Sequence, residues 1–285
     1  MTGRRVLVTG ATGYIASILL PALRERYDLR LVDVKNEDRD GRPVEGVETV
    51  DILDDPGGRL ADLCTDVSTI IHCGFRHPGD PATYAGERVN LDMTARIYEV
   101  AAATDVERVI CTSTNQASRW YEGPYKQRLI DRVDPYDYPR PDTFYGWAKV
   151  AYESLGFLYA CGSVSRPVPN VQIRIVCPRP IMAADFDDRP LVDYLRDIAG
   201  YISDRDLQQL YLRSIEAESI DDAYGVPFQI FYGVSGNART FWSISNARRV
   251  IGYQPVDDSE VVFAADIAAT LSRHADRSAG RSGAS

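Results

Sequence analysis

Between Arg5 and Ala16 the chain reads Arg-Val-Leu-Val-Thr-Gly10-Ala-Thr-Gly13-Tyr-Ile-Ala16, and no other stretch limits the possible folds so sharply. A branched apolar run, too short for a helix, ends on two glycines three positions apart. An amphipathic period follows at once over Tyr14–Tyr27, with Pro21 as an awkward interior residue. A buried strand that turns this tightly into a helix returns the chain across one face of a sheet, so the next strand lies parallel to the first. Gly10 permits the tight turn, and Gly13 lets backbone come close to a bound group. Ala16 stands where a small residue allows the helix to press on the strand. The helix start offers free N–H groups and a positive dipole end, which marks Thr12, Gly13, Tyr14 and Ile15 as a place for a pyrophosphate.

The same alternation continues for about 180 residues. Leu29–Val34, Val47–Ile52, Val67–Cys73, Arg108–Ser113 and Val171–Cys177 read as strands, and Thr83–Ala103 and Thr143–Cys161 as long helices. Near-continuous Val/Ile/Leu runs between helices mean parallel strands covered on both faces. The expected class is therefore α/β, a doubly wound parallel sheet of the Rossmann type. After Pro180 the pattern changes to helices at Leu191–Ala199 and Asp204–Ala217, a strand at Phe228–Tyr232, and short helices at Asn246–Ile251 and Glu260–Ser272. The division this predicts is a dinucleotide-binding domain over 1–180 and a small substrate-binding lobe over 181–275, interleaved with the first. A disordered tail rich in Ser, Gly and Arg is expected over 276–285.

Charge and composition remove several function classes. A net charge of −9 and a pI near 4.9 disfavour nucleic acid and anionic membranes, which select basic surfaces. No run approaches the ~18 apolar residues of a membrane span. The glycine turn follows the first apolar run directly, leaving no room for a signal peptide. Cys64, Cys73, Cys111, Cys161 and Cys177 are odd in number and lack metal-finger spacing, so they read as thiols in a reducing cytoplasm. His72, His77 and His274 are too scattered for a metal site or a Ser-His-Asp hydrolase, and no metal is expected.

Two further features point to hydride chemistry. Asp33 closes the second strand, 20 positions beyond Gly13. A carboxylate there accepts both ribose hydroxyls and repels a 2′-phosphate, which favours NAD over NADP, with Lys35 nearby as a reservation. Tyr145 and Lys149, in Asp142-Thr-Phe-Tyr-Gly-Trp-Ala-Lys149, form a single Tyr-x-x-x-Lys pair in a chain with 17 tyrosines but only three lysines. Residues four apart share one helix face. An ammonium beside a phenol stabilises the phenolate and draws its pKa towards neutrality, which suits a general acid/base.

With Thr-Gly-x-x-Gly-x-x-Ala at its start and Tyr-x-x-x-Lys near its middle, the chain resembles the extended short-chain dehydrogenases/reductases of the NAD-dependent epimerase/dehydratase family. The resemblance implies an adenine contact at Asp51 and Ile52, cofactor contacts at Cys73 and Gly74, and the family's helix asparagine at Asn90. It also implies a catalytic Ser/Thr at Ser113-Thr114 and a nicotinamide contact near Cys177. Pro139-Arg-Pro-Asp142, Ser203-Asp-Arg-Asp-Leu207, Tyr232-Gly-Val-Ser-Gly-Asn237 and Gly252-Tyr-Gln-Pro255 are similar to uronate dehydrogenases, which oxidise the anomeric carbon of a uronate with NAD. Gln116 and a longer Arg119–Arg140 segment depart from that pattern.

The resemblance implies that Tyr145 takes a substrate hydroxyl proton as hydride leaves, that Lys149 tunes Tyr145, and that Thr114 or Ser113 holds the reacting oxygen. Asn115 and Gln116 are candidates for sugar hydroxyls, and Arg174 and Arg189 for a substrate carboxylate. A homodimer through the two long helices is also implied. The competing classes are a nucleotide-sugar epimerase or dehydratase, and a catalytically silent NAD-binding protein. An epimerase gives no net NADH, and a silent protein is indifferent to loss of Tyr145.

Overall fold

The structure is a computed structural model that describes residues 3–55, 58–79 and 82–282. Seven parallel strands form one sheet: β1 (Arg5–Thr9), β2 (Asp28–Asp33), β3 (Val47–Thr49), β4 (Thr69–His72), β5 (Arg108–Thr114), β6 (Asn170–Ile175) and β7 (Phe228–Gly233). Their order is β3-β2-β1-β4-β5-β6-β7. The order reverses between β1 and β4, so a crevice opens at the carboxyl ends of those two strands. Val6 and Val8 face one side and Leu7 the other, the period-two alternation of a strand buried on both faces.

Helices α1 (Tyr14–Arg24), α7 (Asp204–Glu216) and α8 (Ser245–Ile251) cover the first face. The opposite face is covered by α2 (Arg59–Leu63), α3 (Tyr84–Ala103) and α5 (Phe144–Ala160). Thr83 and Thr143 cap α3 and α5, each accepting from the N–H three residues on. Helix α4 (Glu122–Lys126) lies in the 119–140 segment, which pairs across to the chain's later part through Val133 N–H on the Phe241 carbonyl (2.8 Å). Beyond the sheet ends, α6 (Leu191–Gly200), α9 (Ser259–Val262) and α10 (Ala264–Ser282) gather around Phe186, Tyr194, Ile198 and Ile267.

Several expected boundaries shift for identifiable reasons. The third strand stops at Thr49 because Asp51 turns the chain, its Oδ1 accepting from Leu53 N–H. The sixth stops at Ile175, and Cys177 leaves the sheet to pair with 200–202, giving its N–H to Gly200 and accepting from Ile202. Residue 180 is not a spatial boundary: α7 packs on α1, and β7 completes the sheet beside β6. What stands over the strand ends is the smaller group of α6, α9 and α10. The last expected helix breaks at Phe263, and α10 then runs on through Ser282, where a structureless tail was expected from Asp276. An established helix extends at little cost per residue, even through polar sequence. Residues 283–285 of that tail lie outside the described residues.

Candidate active site

Gly10 sits at φ +67°, and a Cβ there would come within 2.6 Å of the Cys73 carbonyl carbon and the Gly74 nitrogen. Only glycine lets the turn lie this close to the end of β4. Gly13 begins α1 without a side-chain cap, leaving first-turn N–H groups for a diphosphate. Thr12 is held by Asp33, whose Oδ2 accepts from Thr12 N–H (3.0 Å) and Thr12 Oγ1 (2.7 Å). Asp33 Oδ1 accepts from Val34 N–H (2.7 Å). The same carboxylate thus ties the turn to β2 and faces the crevice.

The crevice is a cleft of about 560 Å³ running from Asp33 to Lys149. Tyr14 and Ile15 line it on the α1 side, and Asp51, Ile52, Cys73 and Gly74 on the opposite wall. Its lining also includes Lys35, the reservation noted in the sequence, and Arg39, Phe75, Arg76, Met93 and Thr112, which no motif marked. Arg39 lies over the Tyr14 ring at 4.4 Å, and Arg76 pairs with Asp51 (2.9 Å). Two expected contacts are absent from the wall. Asn90 turns its amide to the Arg76 backbone, accepting from its N–H (2.7 Å) and donating to its carbonyl (2.9 Å). It therefore shapes the wall through the Phe75–His77 strap. Cys177 is buried by its pairing with 200–202, while the carbonyl of the next residue, Pro178, accepts from Tyr14 OH (2.5 Å).

At the inner end, Tyr145 and Lys149 share one face of α5. Gly146 makes this possible: a Cβ there would meet the Gln116 carbonyl oxygen at 2.5 Å, so glycine alone lets α5 approach the end of β5. Thr114, at that end, comes near enough to the Tyr145 phenol to favour its ionised form. Ser113 donates instead to Glu153 Oε1 (2.8 Å), so the structure brings Thr114 and not Ser113 to Tyr145. Lys149 is buried, donates from Nζ to the Thr112 carbonyl (2.9 Å), and lies 5.8 Å from the Tyr145 ring centre.

Burial dominates both ionisations. It pushes the Tyr145 phenol up to about 12, opposed by the nearby Thr114 hydroxyl and reinforced by the charge of Glu87. It draws Lys149 down to about 8, opposed by nearby acids and thiols. The sequence expectation that Lys149 pulls the phenol towards neutrality therefore differs from this state of the site. Desolvation outweighs it, and the ammonium is directed at the Thr112 carbonyl.

The substrate candidates fare unevenly. Gln116 accepts from Thr143 Oγ1 (3.0 Å), bracing the turn after β5 against the start of α5. Asn115 is buried, accepting from Arg196 Nη2 (2.7 Å) and donating to the Ile175 carbonyl (3.3 Å). Arg196, which the sequence did not mark, also holds Glu122 Oε1 (2.7 Å) in the 119–140 segment. Arg189 is half exposed beside Asp193 (3.6 Å) and over the Phe186 ring, outside the cleft lining. Arg174 is spent internally, with Nε and Nη2 on the two Glu153 oxygens (2.8 and 2.7 Å) and Nη1 on Tyr232 OH (3.2 Å). Among the described residues no cluster of His, Cys, Asp or Glu is arranged to hold a metal, and no helix is long and apolar enough to cross a membrane.

Residues 6–163 match the family model described as the NAD dependent epimerase/dehydratase family. The chain belongs to that family. It is 31% identical to an NAD-dependent glucose-6-phosphate dehydrogenase of Haloferax volcanii, covering 89% of this chain and 94% of that one. Identity to a uronate dehydrogenase of Pseudomonas putida is 30%, over 92% and 87% of the two chains. The uronate dehydrogenase of Agrobacterium tumefaciens superposes with a TM-score of 0.73 at 24% identity, covering 95% and 90%, which shows the same fold. The cofactor of this epimerase/dehydratase-family chain is NAD, and the cleft fits it, with a glycine turn for the diphosphate and Asp33 for a ribose.

Proposed function

We propose that this protein oxidises a CH–OH carbon of a small sugar or sugar acid with NAD. The observation that carries the reading is Tyr145 and Lys149 standing together at the inner end of the dinucleotide cleft, with Thr114 at the adjoining end of β5. NAD, when bound, supplies the hydride acceptor. Thr114 and Tyr145 hold the substrate hydroxyl between them, and Tyr145 as phenolate takes its proton. Positive charge brought by the oxidised cofactor would offset the burial that holds the Tyr145 phenol protonated. Lys149 positions the cofactor ribose and keeps a second positive charge within reach.

The two curated relatives carry substrates bearing a phosphate or a carboxylate. Arg179, largely exposed and 3.6 Å from Asp197, is our candidate cation for such a group. The group formed by α6, α9 and α10 serves as the substrate lobe. A homodimer and a cytoplasmic setting complete the reading, the latter supported by the free thiols of Cys64, Cys73, Cys111, Cys161 and Cys177. The test is NADH absorbance on mixing the enzyme and NAD with a panel of uronic acids, sugar phosphates and neutral aldoses. Stoichiometric NADH with one class identifies the substrate. No NADH with any of them sinks the dehydrogenase reading.

A further inference from the structure

Thr114 Oγ1, buried at the end of β5, is met by two groups of the turn that follows. It accepts from Gln116 N–H (3.3 Å), and the Asn115 side-chain amide faces it at 3.5 Å. Which end of that amide faces Thr114 decides what the hydroxyl can do. An amide oxygen would take the Thr114 proton. An amide nitrogen donates to Oγ1 and leaves the proton for another acceptor.

Arg196 makes the choice. A guanidinium has five donors and no acceptor, so the Asn115 atom it meets must be the oxygen. Arg196 Nη2 lies 2.7 Å from that oxygen, and the amide nitrogen then reaches the Ile175 carbonyl (3.3 Å). In this orientation the nitrogen is also the atom that faces Thr114. Arg196 itself has little freedom. Its Nε and Nη2 share Glu122 Oε1 (3.1 and 2.7 Å), and Nη1 holds Asp197 Oδ1 (2.8 Å). Both Nη2 protons are thereby used, one on Glu122 and one on Asn115. The Trp242 ring lies 5.3 Å from the guanidinium. Glu122 opens α4, so the longer 119–140 segment is what fastens the arginine.

We propose that Arg196 is a positioning residue that makes Thr114 a donor to the reacting oxygen. The inference rests on Thr114 and Tyr145 holding the substrate hydroxyl between them. Arg196 fixes the Asn115 oxygen, and the Asn115 and Gln116 N–H groups occupy both lone pairs of Thr114 Oγ1. The Thr114 proton is left for the substrate. Oxidation of CH–OH to C=O gives one proton to the Tyr145 phenolate and one hydride to NAD. Between those transfers the substrate oxygen carries negative charge, and a donor already aimed at it stabilises that charge. The opposite amide orientation would turn the Thr114 proton onto Asn115 and present a lone pair to the substrate oxygen.

Asn115→Asp puts an oxygen where the amide nitrogen faces Thr114, at nearly unchanged size. With a sugar that the wild type oxidises, kcat should fall at least ~10-fold. KM for NAD should stay unchanged, since neither Asn115 nor Arg196 lines the dinucleotide cleft. Thr114→Val should lose about 100-fold, and adding Asn115→Asp to it should cost no more than about twofold. An unchanged kcat in Asn115→Asp, or losses that multiply in the double variant, overturns the proposal. Arg196→Met should lower kcat, and Arg196→Lys, which also can only donate, should recover most of that loss. A lysine no better than methionine overturns the proposal too. Neutron diffraction of the deuterated NAD complex needs no turnover and does not depend on how well the variants fold. The Asn115 amide deuterons should point at Ile175 and Thr114, with the Thr114 deuteron directed away from Asn115 and Gln116. A Thr114 deuteron aimed at Asn115 overturns the proposal. If the wild type reduces NAD with none of the sugars, the dehydrogenase reading fails, and the neutron map decides the orientation by itself.

Discussion

At the scale of the residue, the cost of the site is concentrated in Lys149. Its pKa falls from 10.5 to about 8, so between those values the unfolded chain binds more protons than the folded one, and stability rises with pH. Below pH 8 the ammonium is charged in both states and the full penalty applies. Set against one lost hydrogen bond to the Thr112 carbonyl, Lys149→Met should gain about 2 kcal/mol at pH 7. Thermal melts without NAD should show that gain shrinking from pH 8 to pH 10.5. A variant no more stable than wild type would mean that the ammonium is better solvated than its burial implies. Tyr145→Phe should leave folding intact and lower kcat at least ~100-fold, read as NADH formation. The Tyr/Lys pair was legible because lysine is scarce in this chain, and chance seldom sets one a helical turn beyond a tyrosine. That Ser113 is taken up by Glu153 was not, because Glu153 sits two helical turns beyond Tyr145 on α5.

Among the buried polar knots that join elements, two show what the local pattern hides. In one, Glu153 of α5 binds Arg174 of β6 and Ser113 of β5, while Arg174 reaches Tyr232 of β7. Tyr232 OH meets Ser118 Oγ (2.7 Å) in the turn that carries Asn115. Arginine in a strand run is equally compatible with binding substrate or with pairing internally, and only the third dimension separates the two. Arg174→Ala leaves the Glu153 charge buried and should cost about 3–5 kcal/mol in urea unfolding, whereas joint replacement of both by Met should cost much less. Equal losses in the single and joint variants would show that the pair does not act as a unit. The other knot is His72 of β4, bonded to Thr9 of β1 (2.7 Å) and facing Thr94 of α3 (3.3 Å). Burial pulls its pKa down to about 3. Below pH 6.5 the unfolded chain takes a proton that the folded one refuses, so stability drains away as pH falls towards 3. His72→Gln should flatten that slope, as measured by unfolding at a series of acid pH values.

Across the whole molecule, the sandwich could be read in advance because buried parallel strands leave unbroken apolar runs that no surface pattern imitates. Residues after Pro180 were harder to place. Phe228–Gly233 could be recognised as a strand, but nothing in it says that it joins β6 rather than a separate lobe. The 119–140 segment was seen only as an excess of length, since its Glu122–Arg196 pair and Val133–Phe241 bond span long separations. One surface remains apolar: Tyr84 packs against Trp147 (5.2 Å), and Phe144, Phe157 and Leu158 of α5 are each more than 40% exposed. Such a face on two long helices suits a second copy of the chain. Light scattering should give twice 31.7 kDa, and Phe157→Glu with Leu158→Glu should return the single-chain mass. A wild type of single-chain mass would refute the dimer.

Asp33 has a consequence for anyone wishing to redesign the coenzyme. Its oxygens hold Thr12 and Val34 while it lines the cleft, so the residue expected to reject a 2′-phosphate also fastens the glycine turn to the sheet. Exchanging it for a neutral residue would alter discrimination and slacken the pyrophosphate cradle in one step. A conversion to NADP should therefore begin at Lys35 and Arg39 on the rim, where positive charge is already in place and nothing structural hangs on Thr12.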